Sequence, residues 1–364
     1  MRCLGLVRIL LGLLGLAAVH AAPPFEYRPL GTNDSLVPRT ALTLIHAAEV
    51  QRELHIEGAA RDQLEGFLRQ TDLIWMPLRN APRPRLDPVF DASEAALASH
   101  LNSVHGSNAL PRLRQLELQA QRARALLRPD LASHLELSAS QSNSLRSLFL
   151  TTDQAEVVVK SNQGWPIPAD VARLDQLRKS ERPAAEKFLT PGQRQRWAAV
   201  LGDTRDTASY RRTNPMVPEW IAPSTWLTGE PVRLADLRGK VVVVHFYAFQ
   251  CHNCQANFPI YRRWHERLRS RGVEVVGIQS PETEAERDPA KARAAARESG
   301  FEFPVLFDQD LRNWHAWGNS VWPAVYLVDK RGYLRAWWIG ELNWSNARGD
   351  QFLERIIDQL RAED

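Results

Sequence analysis

The stretch Lys240-Val241-Val242-Val243-Val244-His245-Phe246-Tyr247-Ala248-Phe249-Gln250-Cys251-His252-Asn253-Cys254 decides how the rest of this chain is read. Its opening run of β-branched and aromatic residues is the pattern of a strand buried on both faces. A helical pattern follows from Cys254 to Arg269. Two cysteines, two residues apart, therefore stand where a strand passes into a helix. There Cys251 meets the helix N-terminus, whose unpaired N–H groups and partial positive charge stabilise a thiolate. Cysteines so placed have pKa values of roughly 3.5–7.5. Cys254, one turn later, is expected to be buried and to act as the resolving thiol, because this spacing brings two sulfurs into disulfide geometry without moving the backbone. Zinc sites share the spacing but need four ligands, and no second Cys or His pair accompanies this one; no metal is expected.

The strand-and-helix pattern continues outward from this motif. Val273 to Gln279, Phe303 to Phe307 and Ala324 to Val328 read as strands, and Pro289 to Ser299 as a helix. Tyr333 to Trp338 pairs back across Lys330-Arg331-Gly332, and Phe352, Leu353, Ile356, Ile357 and Leu360 mark a closing amphipathic helix. Strands alternating with helices and ending in a hairpin predict an α/β sheet covered on both faces.

The preceding part of the chain is built differently. Residues 1–21 have the form of a signal peptide: Arg2 and Arg8, a short apolar run from Ile9 to Val19, and a cleavage site near Ala22. The run is shorter than the ~20 residues that a membrane span needs, and no other segment is apolar for long enough. Cleavage removes Cys3, leaving Cys251 and Cys254 as the mature chain's only cysteines. Both are spent on one spacing, which marks a redox site rather than a disulfide staple. With 364 residues, 44% hydrophobic and 24% charged, two soluble domains are expected. The net charge of +4 falls to about +2 without Arg2 and Arg8, which leaves no basic face for nucleic acid.

Residues 22–205 form the expected all-α domain, and residues 206–222, with three prolines, the expected linker to a domain at 223–364. Leu113, Leu116, Ala120, Ala123 and Leu127 lay one apolar stripe along about four helical turns. Breaks are expected at Ala81-Pro82-Arg83-Pro84 and Trp165-Pro166-Ile167-Pro168. Leu54, Ile56, Leu64, Thr71 and Asp72 recur 81 positions later as Leu135, Leu137, Leu145, Thr152 and Asp153. Leu137-Ser138-Ala139-Ser140-Gln141 and Leu189-Thr190-Pro191-Gly192-Gln193 are two Leu-Ser/Thr-x-x-Gln helix starts, with Ser or Thr as the cap. These phrases resemble the LTxxQ-motif periplasmic helical proteins of the Spy and CpxP type, some of which are chaperones or stress sensors.

Residues 217–362 resemble the thioredoxin superfamily, in particular its exported TlpA- and DipZ-like branch. The resemblance rests on the Val241-to-Phe246 run entering Cys251-His252-Asn253-Cys254, then Pro259, Gly277-Ile278-Gln279-Ser280-Pro281-Glu282-Thr283, Trp322-Pro323-Ala324-Val325-Tyr326-Leu327-Val328-Asp329, Gly332 and Gly340-Glu341. It implies a thioredoxin-like fold, a redox-active Cys251–Cys254 pair and thiol–disulfide exchange with protein substrates, with no organic cofactor. It also implies a cis bond before Pro323, with Trp322 and Pro323 lining the substrate site, and a partner that recycles the cysteines. With the signal peptide, the setting it implies is periplasmic. Three positions depart from the pattern. Gln250 replaces a Trp, Asn257 a Glu, and His245 the buried Asp that serves the resolving thiol.

His245 is the candidate stand-in for that base, against a reading as a packed core histidine. His252 is a candidate to tune Cys251, against a solvated surface imidazole. Trp314, Trp317, Trp337, Trp338 and Trp344 form either a substrate rim around Pro323 or core packing. Glu282, Glu284 and Glu286 read as a solvated loop, and Asn343-Trp344-Ser345 as a glycosylation acceptor in a eukaryotic secretory pathway. Other functions are weighed beside exchange. A peroxiredoxin-like peroxidase needs Thr or Ser where Ala248 stands, and copper handling of the related kind uses a different cysteine spacing. A chaperone or scaffold with an accessory redox domain would make the helical region primary.

Overall fold

A computed structural model describes residues 25–363 apart from 29, 31–35, 80, 105–107, 162–167, 208–209, 211–214 and 222–224. The expected signal peptide, most of the Trp165–Pro168 break and part of the linker lie outside the described residues. Among those described, no helix is long and apolar enough to cross a membrane.

The first half is helical: α1 (Ala41–Leu44), α2 (Ala48–Glu53), α3 (Gly58–Trp75), α4 (Arg83–Val104), α5 (Ala109–Gln121), α6 (Pro129–His134), α7 (Ala139–Ser161), α8 (Pro168–Lys187) and α9 (Pro191–Leu201). The 81-residue repeat is visible in the backbone. Short α2 and α6 each end on a left-handed residue, His55 (φ 56°) and Glu136 (φ 53°), before long α3 and α7 begin. The closing bonds also match: Ile56 N donates to Gln51 O at 2.8 Å and Leu137 N to Ala132 O at 2.9 Å. Leu54, Ile56 and Leu64 enter one core cluster, and Leu135 and Leu145 another.

The two Leu-Ser/Thr-x-x-Gln phrases meet. Ser138 and Thr190 each accept from the backbone of the Gln three residues on, and Gln141 and Gln193 each accept from the cap N–H in return. The two amides then pair, Gln141 Nε2 reaching Gln193 Oε1 at 2.8 Å. One expectation fails here: the stripe from Leu113 to Leu127 is not a single helix. Helix α5 stops at Gln121, and Arg122 takes φ 55° before a 3-10 stretch, Arg122–Leu127. The break lets Ala123, Ala125, Leu126 and Leu127 all bury, which one face of a regular helix would not allow.

The second half is a six-stranded mixed sheet in the order β1 (Thr225–Thr228), β4 (Val305–Phe307), β3 (Val273–Gln279), β2 (Val241–Tyr247), β5 (Ala324–Val328), β6 (Leu334–Ile339). Strands β2, β3 and β4 run parallel, while β1, β5 and β6 are antiparallel to their neighbours. Its helices are α10 (His252–Leu268), α11 (Pro289–Glu298), α12 (Arg312–Ala316) and α13 (Gly349–Ala362). Alternation along β2 builds two cores. Val241, Val243 and Tyr247 face the front with α10 and α13, while Val242, Val244 and Phe246 face the rear with Trp314, Trp317 and Tyr326.

The expected linker at 206–222 is cut short. Met216 bridges Tyr333, and Leu334 N donates to Pro215 O at 2.9 Å, so residues 215–217 already extend the sheet beyond β6. The helical half packs on the rear face, where Met76 is fully buried in the same core cluster as Trp317 and Val244.

Candidate redox site

Strand β2 ends at Tyr247, and Cys251 caps the N-terminus of α10 with extended backbone (φ −72°, ψ 114°). Its Sγ accepts the Cys254 N–H at 3.3 Å. Cys251 is half-buried and Cys254 is fully buried, both as free thiols. The asymmetry separates their acidities. The Cys254 side chain, donating to the Cys251 sulfur, brings Cys251 down to about 7, helped by backbone N–H groups of the first turn and opposed by burial and the Glu282 charge. Burial raises the Cys254 thiol far above the ordinary range, and sharing its proton with Cys251 adds to this. Burial and the shared proton thus make the two thiols of the motif unequal, Cys251 the more acidic and Cys254 the more basic.

Pro323 immediately precedes β5, whose Ala324 pairs with Phe246 near the end of β2, so it lies at the sheet end from which Cys251 emerges. The Trp322–Pro323 peptide is cis. Pro323 O accepts Gly340 N at 2.7 Å. Trp322 is partly exposed, stacks on buried Trp314 with ring centroids 3.9 Å apart, and donates from Nε1 to Ser280 O at 2.9 Å.

Residues 214–337 match the AhpC/TSA family. The C-terminal region is a redoxin domain. Protein DipZ of Mycobacterium tuberculosis is 30% identical over 178 residues, 48% of this chain and 26% of that protein. Thiol-disulfide oxidoreductase YkuV of Bacillus subtilis is 29% identical over 147 residues, 40% of this chain and 95% of YkuV. Among solved structures, the thioredoxin-like superfamily protein SPOA0173 is 27% identical, covering 41% of this chain and 97% of its own, with a TM-score of 0.37. The chain spans about a quarter of the length of DipZ, the relative with the longest of these matches.

The redoxin domain carries a residue that reading the sequence misplaced. Glu286 is not in a solvated loop; it is fully buried. It closes a capping box with Thr283, and its carboxylate accepts three backbone N–H groups: Gln250 at 2.6 Å, Glu282 at 2.7 Å and Thr283 at 2.9 Å. Gln250, which stands where a Trp is usual, also accepts the Thr283 hydroxyl at 2.8 Å. The residue before Cys251 is thus fastened to the turn after β3. Glu282 itself is exposed. The legible signal was the Thr-x-x-Glu box, not the local density of charge.

Asn257, at the position of the missing Glu, is fully buried and does a different job. Its Oδ1 accepts Leu342 N at 2.9 Å, and its Nδ2 donates to Gly340 O and to the Tyr261 hydroxyl at 3.3 Å each. It ties α10 to the loop after β6.

His245 faces the front core, fully buried, stacked on Tyr261 at 4.1 Å and Tyr247 at 5.3 Å, with Phe301 and Phe303 edge-on. Neither ring nitrogen has a hydrogen-bond partner, so it makes no such bond to either sulfur. Burial pushes its pKa down to about 3. Of its two readings, candidate base and packed core histidine, this arrangement fits a neutral packed imidazole; a Cβ on Gly277 would lie 3.0 Å from its Nε2. His252 lies exposed on the first turn of α10. Of the five tryptophans read as either a substrate rim or core packing, Trp314 and Trp317 are core residues, Trp337 and Trp338 are half-buried, and Trp344 is exposed. Among the described residues, no group of His, Cys, Asp or Glu is arranged to hold a metal ion.

Proposed function

We propose that this chain is an exported thiol–disulfide oxidoreductase that acts on protein disulfides through Cys251 and Cys254. The observation that carries the reading is the division of labour in one helical turn: a half-buried thiol brought to about 7 and, below it, a fully buried thiol that donates to it. The Cys251 thiolate attacks one sulfur of a substrate disulfide. The substrate S–S bond breaks, its other sulfur leaves as a thiolate, and a mixed disulfide forms at Cys251. Cys254, on losing its proton, attacks the Cys251 sulfur, frees the second substrate thiolate and closes the Cys251–Cys254 disulfide. Two electrons pass from the dithiol to the substrate, and a redox partner must return them. Run in reverse, the same steps oxidise substrate thiols.

Trp322 and Pro323 supply the substrate-facing edge in this reading, and the residue 1–21 signal directs the chain to the periplasm. A peroxidase is less well supported, since Ala248, three residues before Cys251, offers no hydroxyl and is buried. The test is insulin reduction by the mature chain and its Cys251→Ser variant. Loss of turnover with Cys251→Ser is expected; turnover that survives it would overturn the mechanism. Equilibration with defined glutathione mixtures then sets the direction, a potential near ≈ −270 mV marking a reductase and one near ≈ −120 mV a disulfide donor.

A further inference from the structure

The helical half reaches the redoxin domain at a point with chemical consequences. After α3, the turn Met76-Pro77-Leu78-Arg79 presses into the rear of the sheet. Among the described residues the Arg79 guanidinium forms no ion pair with a carboxylate. Instead Nη1 donates to Trp317 O at 2.5 Å and Met76 O at 3.0 Å, and Nη2 donates to the Tyr326 hydroxyl at 2.7 Å. Its carbon lies 5.0 Å from the Tyr326 ring centre and 5.6 Å from that of Trp337. Burying a guanidinium away from a counter-charge is costly, and here two planar rings and a fork of oriented acceptors offset the cost.

What this arginine holds is the loop from Trp317 to Pro323. Trp317 opens the loop. Tyr326 passes the contact on by donating to Asn319 Oδ1 at 2.6 Å. Gly318 sits at φ 62°, and a side chain there would collide with the Pro77 carbonyl. Asn319 N donates to Trp314 O at 3.1 Å, and Trp314 is the ring on which Trp322 stacks. A continuous set of contacts thus runs from the helical half to the residue that forms the cis bond with Pro323.

We propose that Arg79 is a positioning residue for exchange with protein substrates: by fixing the Trp317–Pro323 loop from behind, the helical domain sets the pose of the Trp322–Pro323 edge that receives the substrate chain. The proposal rests on the exchange function above. It gives the helical domain a part in the redox chemistry although none of its described residues takes part in the contacts around Cys251 and Cys254.

The experiment compares Arg79→Ala and Arg79→Lys in the full mature chain, using insulin and the small disulfide 5,5′-dithiobis(2-nitrobenzoic acid). Misplacing a binding edge by ~1 Å costs up to about 100-fold, so Arg79→Ala should lower kcat/KM for insulin by roughly 10- to 100-fold, chiefly through KM. The small disulfide, which needs no such edge, should react within about twofold of wild type, with an unchanged Cys251 pH midpoint. Arg79→Lys should recover only part of the loss, because one ammonium cannot reproduce the planar fork that reaches the Trp317 and Met76 carbonyls and the Tyr326 hydroxyl together. Insulin kinetics unchanged in Arg79→Ala would overturn the proposal, as would equal losses on both substrates. Should Arg79→Ala fail to fold, Asn319→Ala cuts the same chain of contacts at a half-buried position and must show the same split between substrates. Absence of Cys251-dependent turnover in wild type would instead sink the exchange reading itself.

Discussion

Replacing Cys254 by Ala tests what makes Cys251 acidic. The largest influence lowering it to about 7 from the ordinary 9.0 is the hydrogen bond from the Cys254 side chain, and the Ala variant removes that donor while leaving the helix N-terminus in place. If the full effect were lost, the thiolate fraction at pH 7 would fall from one half to about 1%, a loss of roughly 50-fold. The more basic thiolate is also a better nucleophile, by about eightfold over two pK units at a Brønsted slope of ~0.45. The net expectation is a reaction with a small disulfide about sixfold slower at pH 7 and about eightfold faster at about pH 10, where both proteins are ionised. The two pH–rate curves must therefore cross. Single-turnover stopped-flow measurements from about pH 6 to about pH 10 would show the crossing, with the variant's midpoint between about 7 and about 9 according to how much the helix terminus retains. A midpoint still at about 7, with no crossing, would refute the assignment and leave the backbone N–H groups as the cause.

Three further outcomes follow from the surrounding residues. His245 is held near 3 in the fold against 6.5 when free, so below pH 6.5 the unfolded chain takes up a proton that the folded chain refuses. Stability should then fall by about 1.4 kcal/mol per pH unit between 6.5 and 3, and denaturant titrations of His245→Phe should lack that slope; equal slopes in both proteins would contradict the buried neutral imidazole. Glu286→Ala strands three N–H groups around the Gln250–Thr283 junction and should cost roughly 2–4 kcal/mol in denaturant unfolding, an effect below 1 kcal/mol counting against the clamp. Asn257→Ala releases Leu342 N and Gly340 O together, with an expected loss of about 1–3 kcal/mol and faster hydrogen exchange at Leu342; unchanged exchange there would show that the tie is not holding the loop.

The frame of the redoxin domain was legible because its central elements are strongly patterned. The Val241–Phe246 run, the Val273–Gln279 and Ala324–Val328 strands and the position of Cys251 at a strand-to-helix junction all emerge from residue order. What escaped were features whose pattern is weak or whose cause is distant. Strand β1 is four residues of an edge, with little alternation to detect. The break at Arg122 interrupts an apolar run that continues in register as a helix, and only the packing explains it. Glu286 lies among three acidic residues, two of them exposed, and only its spacing from Thr283 in a Thr-x-x-Glu box separates it from the other two. Arg79 finds Tyr326 across 247 positions of sequence.

The grip of Glu286 on the backbone of Gln250 also bears on how such motifs travel between proteins. Four residues, Cys251 to Cys254, are easily copied into another scaffold. The backbone of Gln250 just before them, however, is held by a carboxylate from the turn after the neighbouring strand, and the loop after β6 is moored to α10 from within by Asn257. A graft of the tetrapeptide would therefore leave behind the hold on Gln250 and the mooring of the loop after β6, and a transplant that kept both would have to carry the β3 turn and Asn257 along with it.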